Sequence, residues 1–230
     1  MSYQVLSRKW RPQRFDEVVG QIHITRTLQN AMGMDRVAHG YLFSGPRGVG
    51  KTSTARILAK VLSCENPQDR NPCNKCSNCM DITRGSSLDV QELDGASNRG
   101  IDEIRELREA VKYPPNSGEY RIYIIDEVHM LTREAFNALL KTLEEPPPHI
   151  IFIMATTDAH KVPTTILSRT QKFDFKPISI NDISTYLKEI LNNEKITYEE
   201  EGIDLISQKA DGSLRDALSL LDQVIAYADK

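Results

Sequence analysis

The sequence predicts an α/β fold, a parallel sheet covered by helices on both faces, followed by a small all-helical domain. Three observations predict it. Five short apolar runs with strand character alternate with helix-period segments between residues 41 and 175. A glycine-rich turn, Gly45-Pro-Arg-Gly-Val-Gly-Lys-Thr52, stands between the first run and the first of those helices. From Pro177 onward the pattern holds no strand, only three helices.

The elements follow in order. Tyr41-Leu42-Phe43 is the first strand. From about Lys51, Ala55, Leu58, Ala59 and Leu62 fall at i, i+3, i+4 and i+7, one face of a helix. Leu88 to Leu93 alternates in period two and reads as a strand. Ile101, Ile104, Leu107 and Val111 mark a helix that Pro114-Pro115 ends. Arg121 to Ile125 is a buried strand. Phe136, Leu139, Leu140 and Leu143 mark the next helix, ended by Pro146 to Pro148. Ile150 to Ala155 and Thr170 to Phe175 are the last two strands. The helices after Pro177 are Asp182 to Leu191, Glu199 to Lys209, and the one marked by Leu214, Ala217, Leu218, Leu221 and Ile225, with Gly202 and Gly212 as punctuation. The expected division is therefore 1–176 and 177–230.

Composition sets the outer bounds. A chain of 230 residues with 40% hydrophobic and 27% charged residues can bury a full core and is not a disordered segment. The net charge of −3 hides a polarity. Residues 1–60 hold ten Lys/Arg against three Asp/Glu, whereas residues 181–230 hold five against eleven. A uniformly basic nucleic-acid binder is excluded; a local basic surface is not. The longest apolar run, Ile150 to Ala155, is six residues, against the roughly 18 a membrane span needs. Arg8, Lys9, Arg11 and Arg14 follow the N-terminus with no apolar stretch after them, so no secretory signal and a cytoplasmic, reducing location are expected.

The glycine-rich turn fits the P-loop pattern in its proper setting, strand before and helix after. Its glycines let backbone N–H groups close around phosphate oxygens at a helix N-terminus. Gly45, Arg47, Gly48, Val49, Gly50, Lys51, Thr52 and Ser53 are the expected nucleotide-binding set. Lys51 is placed to reach the terminal phosphates of ATP and Thr52 to ligate Mg²⁺. Asp126 and Glu127 end a buried strand. Asp126 is the second Mg²⁺ residue, and Glu127 the group that orients and deprotonates the attacking water. A Glu at that position argues for hydrolysis over simple nucleotide binding.

All four cysteines, Cys64, Cys73, Cys76 and Cys79, fall in one short stretch. In a reducing compartment that spacing reads as a metal site. Four thiolates suit structural Zn²⁺ with no open position. An iron–sulfur cluster is the rival by ligand type, and metal-free thiols the bland alternative. The segment Asn66 to Pro72 looks too polar to build a core, so a metal is expected to hold it.

These motifs together resemble the AAA+ ATPases of the clamp-loader group, most nearly the gamma/tau family of bacterial DNA polymerase III. The resemblance spans the chain. It rests on Lys9-Trp10-Arg11-Pro12 with Val18-Val19-Gly20, the P-loop, the cysteine module, Asp126-Glu127-Val128-His129, Leu139 to Pro147, Ala155-Thr-Thr157, Ser168-Arg169, and Gly212 to Asp216. It implies an AAA+ P-loop domain with a five-stranded parallel sheet, a zinc module inserted at 64–79, and a three-helix lid.

The resemblance also implies residue roles. Thr157 would be the sensor near the γ-phosphate, where many relatives carry Asn. Arg169 would be an arginine finger acting in trans on a neighbour's ATP; Thr170 stands where relatives often have Cys. Arg215 would reach the phosphates from the lid. Arg11, Pro12, Val18 and Val19 would line the adenine pocket. Arg99, Arg105, Thr132 and Arg133, near the starts of two helices, would meet duplex phosphates, a contact that reads backbone shape and not bases. Arg105, Arg108 and Lys112 share one helix face and Arg133, Asn137 and Lys141 another. The implied function is ATP-driven loading of a sliding clamp onto primed DNA, with other loader subunits, the clamp and DNA as partners. Such subunits commonly assemble through a C-terminal collar, so a monomeric isolated chain is compatible with this reading. Two alternatives stand beside it: a branch-migration type of DNA-translocating AAA+ helicase, and a scaffold subunit that does not hydrolyse ATP.

Overall fold

The computed structural model describes residues 4–98 and 100–228. Its centre is a five-stranded parallel sheet in the order β2-β3-β4-β1-β5, built from β1 (Gly40–Ser44), β2 (Val90–Asp94), β3 (Arg121–Asp126), β4 (Ile150–Thr156) and β5 (Gln171–Asp174). All five expected strands are present. Their order could not be read from periodicity, and it matters: β4 lies between the strand that feeds the P-loop and the strand that carries Asp126.

Side chains alternate across the pleat, so each strand supplies two cores. Tyr41, Phe43, Ile122, Ile124, Ile151 and Ile153 point to one face, with Ile57 and Leu58 of α3 (Lys51–Ser63) and Ile24 and Leu28 of α2 (Ile22–Gly33). Leu42, Tyr123, Ile125, Phe152 and Met154 point to the other, with Ile104 and Leu107 of α5 (Ile101–Ala110) and Phe136 and Leu139 of α6 (Arg133–Glu144). Each such buried large side chain contributes roughly 1.5–3 kcal/mol of apolar transfer. Thr132 caps α6 by accepting a hydrogen bond from Ala135 N.

Two short helices, α4 (Ser77–Arg84) and α7 (Thr164–Leu167), flank the sheet. Three more follow it: α8 (Ile180–Glu194), α9 (Glu200–Lys209) and α10 (Leu214–Ala228). They enclose a third core of Ile183, Leu187, Ile190, Ile203, Ala217, Leu218 and Leu221. Leu6 joins this core from the other end of the chain, in the four-residue α1 (Leu6–Lys9). Its backbone N–H donates to Asp222 at 2.8 Å. Trp10 Nε1 donates to Glu194 at 2.8 Å, and Lys9 pairs with the same carboxylate at 2.6 Å. The N-terminal arm thus packs on the helices, an attachment that helical periodicity does not reveal.

The two glycines expected to punctuate the helices differ. Gly202 sits within the first turn of α9, where a Cβ would meet nothing within 4 Å, so it ends no helix. Gly212 has φ +77°, and a Cβ there would come 2.7 Å from Pro177 Cβ. Only glycine fits that turn without displacing Pro177. Among the described residues, no helix is long and apolar enough to cross a membrane.

Candidate nucleotide site and cysteine cluster

The P-loop leaves β1 at Gly45 and enters α3 at Lys51, with Gly50 as N-cap at φ +101°. Two backbone bonds fix it: Gly45 N donates to Thr156 O at 3.3 Å, and Leu214 N donates to Gly48 O at 3.1 Å. The second bond ties the loop to the start of α10. There is no room for a side chain at Gly45 or Gly48: a Cβ would lie 2.3 Å from Phe175 O in one case and 2.0 Å from Ser213 Oγ in the other.

Lys51 is buried, and its ammonium donates to Gly45 O at 2.8 Å and Pro46 O at 2.6 Å, inside the loop's own cradle. Burial pulls its pKa below the ordinary lysine value, and the Glu127 and Asp126 carboxylates oppose that shift. Thr52 Oγ1 donates to Asp126 Oδ2 at 2.8 Å, so the two residues expected to share Mg²⁺ meet although β4 separates their strands. A hydroxyl and a carboxylate side by side are the oxygen donors that Mg²⁺ takes.

Glu127 adopts φ +46° and ψ +46°, a left-handed conformation that a non-glycine residue adopts at a cost of roughly 1–2 kcal/mol. Its carboxylate is over-determined by neighbours. Oε2 accepts from Thr157 N at 3.0 Å and Thr157 Oγ1 at 2.9 Å. His129 Nδ1 stands 3.3 Å from the same oxygen and 2.9 Å from Thr156 Oγ1. Thr157 therefore touches Glu127 directly, whereas sequence reasoning tied it only to a phosphate. No role for His129 follows from the motif; its place two residues past Glu127 is the available signal.

One cleft gathers most of the expected nucleotide residues. It is lined by Arg11, Pro12, Val18, Val19, Arg47, Gly48, Val49, Gly50, Lys51, Thr52, Ser53, Asp126, Glu127 and Arg215. Ser7, Trp10, Ile178, Leu214 and Leu218 complete it, and these five were not anticipated. Gly45 and Thr157 are not in the lining but touch it, at Lys51 and at Glu127. Arg47 reaches over the rim to pair with Asp216 of α10 at 3.0 Å. The cleft is thus walled by the P-loop, by the N-terminal arm and by α10.

Arg169 is elsewhere. It precedes β5, pairs with Glu144 at 2.9 Å and donates to Thr165 O at 2.9 Å. A Cβ on Gly40 would stand 3.4 Å from its carbonyl oxygen. That is the start of β1, and Gly45 lies about 17 Å away at the other end of the strand.

The residues expected at DNA are only partly brought together. Arg105, Arg108 and Lys141 share one groove between α5 and α6, with Glu134 and Asn137 in it. Lys112 and Arg133 are not in its lining, and Lys112 pairs with Glu109 at 2.5 Å. Arg105 pairs with Asp102 at 3.2 Å, and the Thr132 hydroxyl oxygen is engaged as a helix cap. Arg99 lies outside the described residues.

The four cysteine sulfurs lie within 4.8 Å of one another, and Cys73 and Cys79 are 4.0 Å apart. A tetrahedron of Zn–S bonds has S···S edges of about 3.8 Å, so the donor set and its size fit zinc. Backbone N–H groups of Lys75 and Cys76 point at Cys73 Sγ and bring its thiol down to about 6, which favours the thiolate a metal needs. Burial pushes Cys79 upward. None of the sulfurs lines the nucleotide cleft. The polar stretch before Cys73 is not held by sulfur alone: Asn71 and Pro72 are buried, contrary to expectation. Zinc is expected to co-purify at about one per chain. Elemental analysis of freshly reduced protein checks this, and iron or no metal would defeat it.

Comparison with known proteins identifies a family and a fold. Residues 20–179 match the family model described as DNA polymerase III, delta subunit, and residues 182–230 the DNA polymerase III clamp loader subunit, ATPase lid domain. The chain is 57% identical over 228 residues to the DNA polymerase III subunit tau of Bacillus subtilis, covering 99% of this chain and 40% of that protein. It is 52% identical to the tau subunit of Escherichia coli, covering 100% and 36%, and 49% identical to the gamma subunit of Buchnera aphidicola from Baizongia pistaciae, covering 98% and 61%. The chain therefore spans less than two thirds of each of these relatives. The RuvB Holliday junction branch migration motor of Thermotoga maritima superposes with a TM-score of 0.67 at 18% identity, over 92% of this chain and 63% of that one. That likeness shows the AAA+ fold alone. On the family models, this chain belongs to the DNA polymerase III clamp-loader subunits, and among them it is similar to those named gamma and tau.

Proposed function

We propose that the chain is the ATP-hydrolysing part of a clamp-loader subunit that loads a sliding clamp onto primed DNA. One observation carries the reading. Thr52 and Asp126 meet at 2.8 Å in a cleft that also holds Lys51, Glu127 and Arg215. Mg²⁺·ATP supplies the phosphoryl group and offsets its charge. Lys51 binds the terminal phosphates, Thr52 and Asp126 hold the metal, and Glu127 orients water and takes its proton. Arg215, on the lid, senses the phosphates, so nucleotide occupancy sets the angle of lid (177–230) against base (1–176). Arg169 completes a neighbour's site. The cysteine module binds structural Zn²⁺. Arg105 and Arg133, with Thr132 and Arg99, meet DNA phosphates. The protein works in the cytoplasm, in a hetero-oligomer.

Steady-state ATPase activity of the assembled complex, with and without clamp and primed DNA, tests the reading. Stimulation by both together is expected. Stimulation by duplex DNA without clamp would favour the branch-migration alternative, and no hydrolysis at all would leave a scaffold.

A further inference from the structure

The cysteine module does not face the nucleotide cleft, yet it holds the segment that forms one of its walls. Arg11 and Pro12, then Val18 and Val19, line the cleft. The residues between them turn the other way, onto the module and α3.

Asn71 is 1% exposed and uses both ends of its amide. Its Oδ1 accepts from Phe15 N at 2.8 Å, and its Nδ2 donates to Asp16 Oδ2 at 2.9 Å. Asn74 Nδ2 donates to Gln13 O at 3.3 Å, while its Oδ1 accepts from Lys60 Nζ at 3.1 Å. Lys60 is 2% exposed and also donates to Gln13 Oε1 at 2.5 Å. Gln13 passes the restraint on, since its Nε2 donates to Arg11 O at 3.0 Å. The module's own backbone is left-handed at Asp69, Arg70 and Asn74, with φ of 49°, 60° and 56°. Asp and Asn visit that conformation routinely, whereas Arg70 keeps it only where its surroundings impose it.

The P-loop is anchored without the module. Its bonds go to Thr156 of β4 and Leu214 of α10. The module therefore acts on one wall of the cleft and leaves the phosphate cradle alone.

We propose that the cysteine module is a brace for the wall of the nucleotide cleft formed by residues 11–19, with Asn71, Asn74 and Lys60 as positioning residues for ATP. This rests on the nucleotide reading above. A brace that pre-sets the wall raises ATP affinity by removing disorder from the free site. Without it the protein still folds and still has one site, but a looser one.

Calorimetric titration of Mg²⁺·ATP into the full chain tests this, because affinity and stoichiometry separate positioning from stability. Wild type, Asn74→Ala, Lys60→Met and Lys51→Ala are compared. Asn74→Ala and Lys60→Met are expected to raise Kd about five- to tenfold, the effect of one or two lost hydrogen bonds, while still binding one ATP per chain. A purely structural role would lower the stoichiometry, as unfolded chains drop out, and leave Kd unchanged. That result, or wild-type Kd in both variants, overturns the brace. The two variants cut the same Lys60–Asn74 contact from opposite sides, so failure of one to fold leaves the other as the test. No binding by wild type would instead sink the nucleotide reading, and Lys51→Ala gives the signal of a lost phosphate cradle for comparison.

Discussion

Glu127→Gln is expected to bind ATP as wild type does and to lose about 10²–10⁴-fold in hydrolysis, the usual contribution of a positioned general base. The geometry makes this a clean substitution. The carboxylate accepts two hydrogen bonds from Thr157, through N and Oγ1. A glutamine carbonyl oxygen can accept both, so the strained backbone at φ +46° keeps its anchor. Lys51 and Thr52 make their hydrogen bonds without Glu127, and Asp126 meets only its backbone N–H, which the substitution keeps. What is lost is the basicity of one oxygen, and with it the acceptor for the water proton. Single-turnover hydrolysis beside an ATP titration checks this. Wild-type turnover would remove Glu127 from the mechanism, and a loss of binding would give it a structural role instead.

Arg169→Ala is expected to leave ATP binding by the isolated chain unchanged and to cut clamp- and DNA-stimulated hydrolysis of the assembled complex at least tenfold. In related P-loop systems an arginine finger is worth roughly 10³–10⁵ in rate, so tenfold is a cautious floor. The reason is distance. Arg169 sits beside the start of β1, with the P-loop at the far end of that strand, and its guanidinium pairs with Glu144 of α6. That exposed pair contributes little to stability, about 0–1 kcal/mol, so the substitution should not unfold the chain. Assemblies of defined order, mixing Arg169→Ala with Lys51→Ala subunits, give the sharper readout. Activity should survive only where an intact Arg169 faces an intact P-loop. Indifference to which neighbour carries the change would make Arg169 an ordinary surface cation.

Much of this was legible in the residues, for identifiable reasons. Strands such as Ile150–Thr156 are buried along their whole length, so they read as unbroken apolar runs. The P-loop and the cysteines are local in sequence, and local chemistry is visible locally. What stayed hidden depends on contacts across the chain. Helix α2 was missed because Ile22 is 67% exposed and only Ile24, Thr25 and Leu28 are buried, which gives a thin apolar stripe. The attachment of Leu6 and Trp10 to the lid joins residues more than 180 positions apart. Asn71 looked like loop because burial of an amide requires partners, and its partners Phe15 and Asp16 lie some 55 positions earlier. The basic groove mixes side chains from α5 and α6, so helix-by-helix faces grouped Lys112 and Arg133 with residues they do not join.

The proposed function stands on an ATP site organised around Lys51 in the cleft between P-loop and lid. Titration of Mg²⁺·ATP into the wild-type chain and into Lys51→Ala tests it most directly. Lys51 is the ammonium held within the loop's cradle, and removing it takes away the charge aimed at the terminal phosphates. One ATP bound per wild-type chain and no measurable binding by Lys51→Ala are expected. Equal affinity in the two proteins would contradict it.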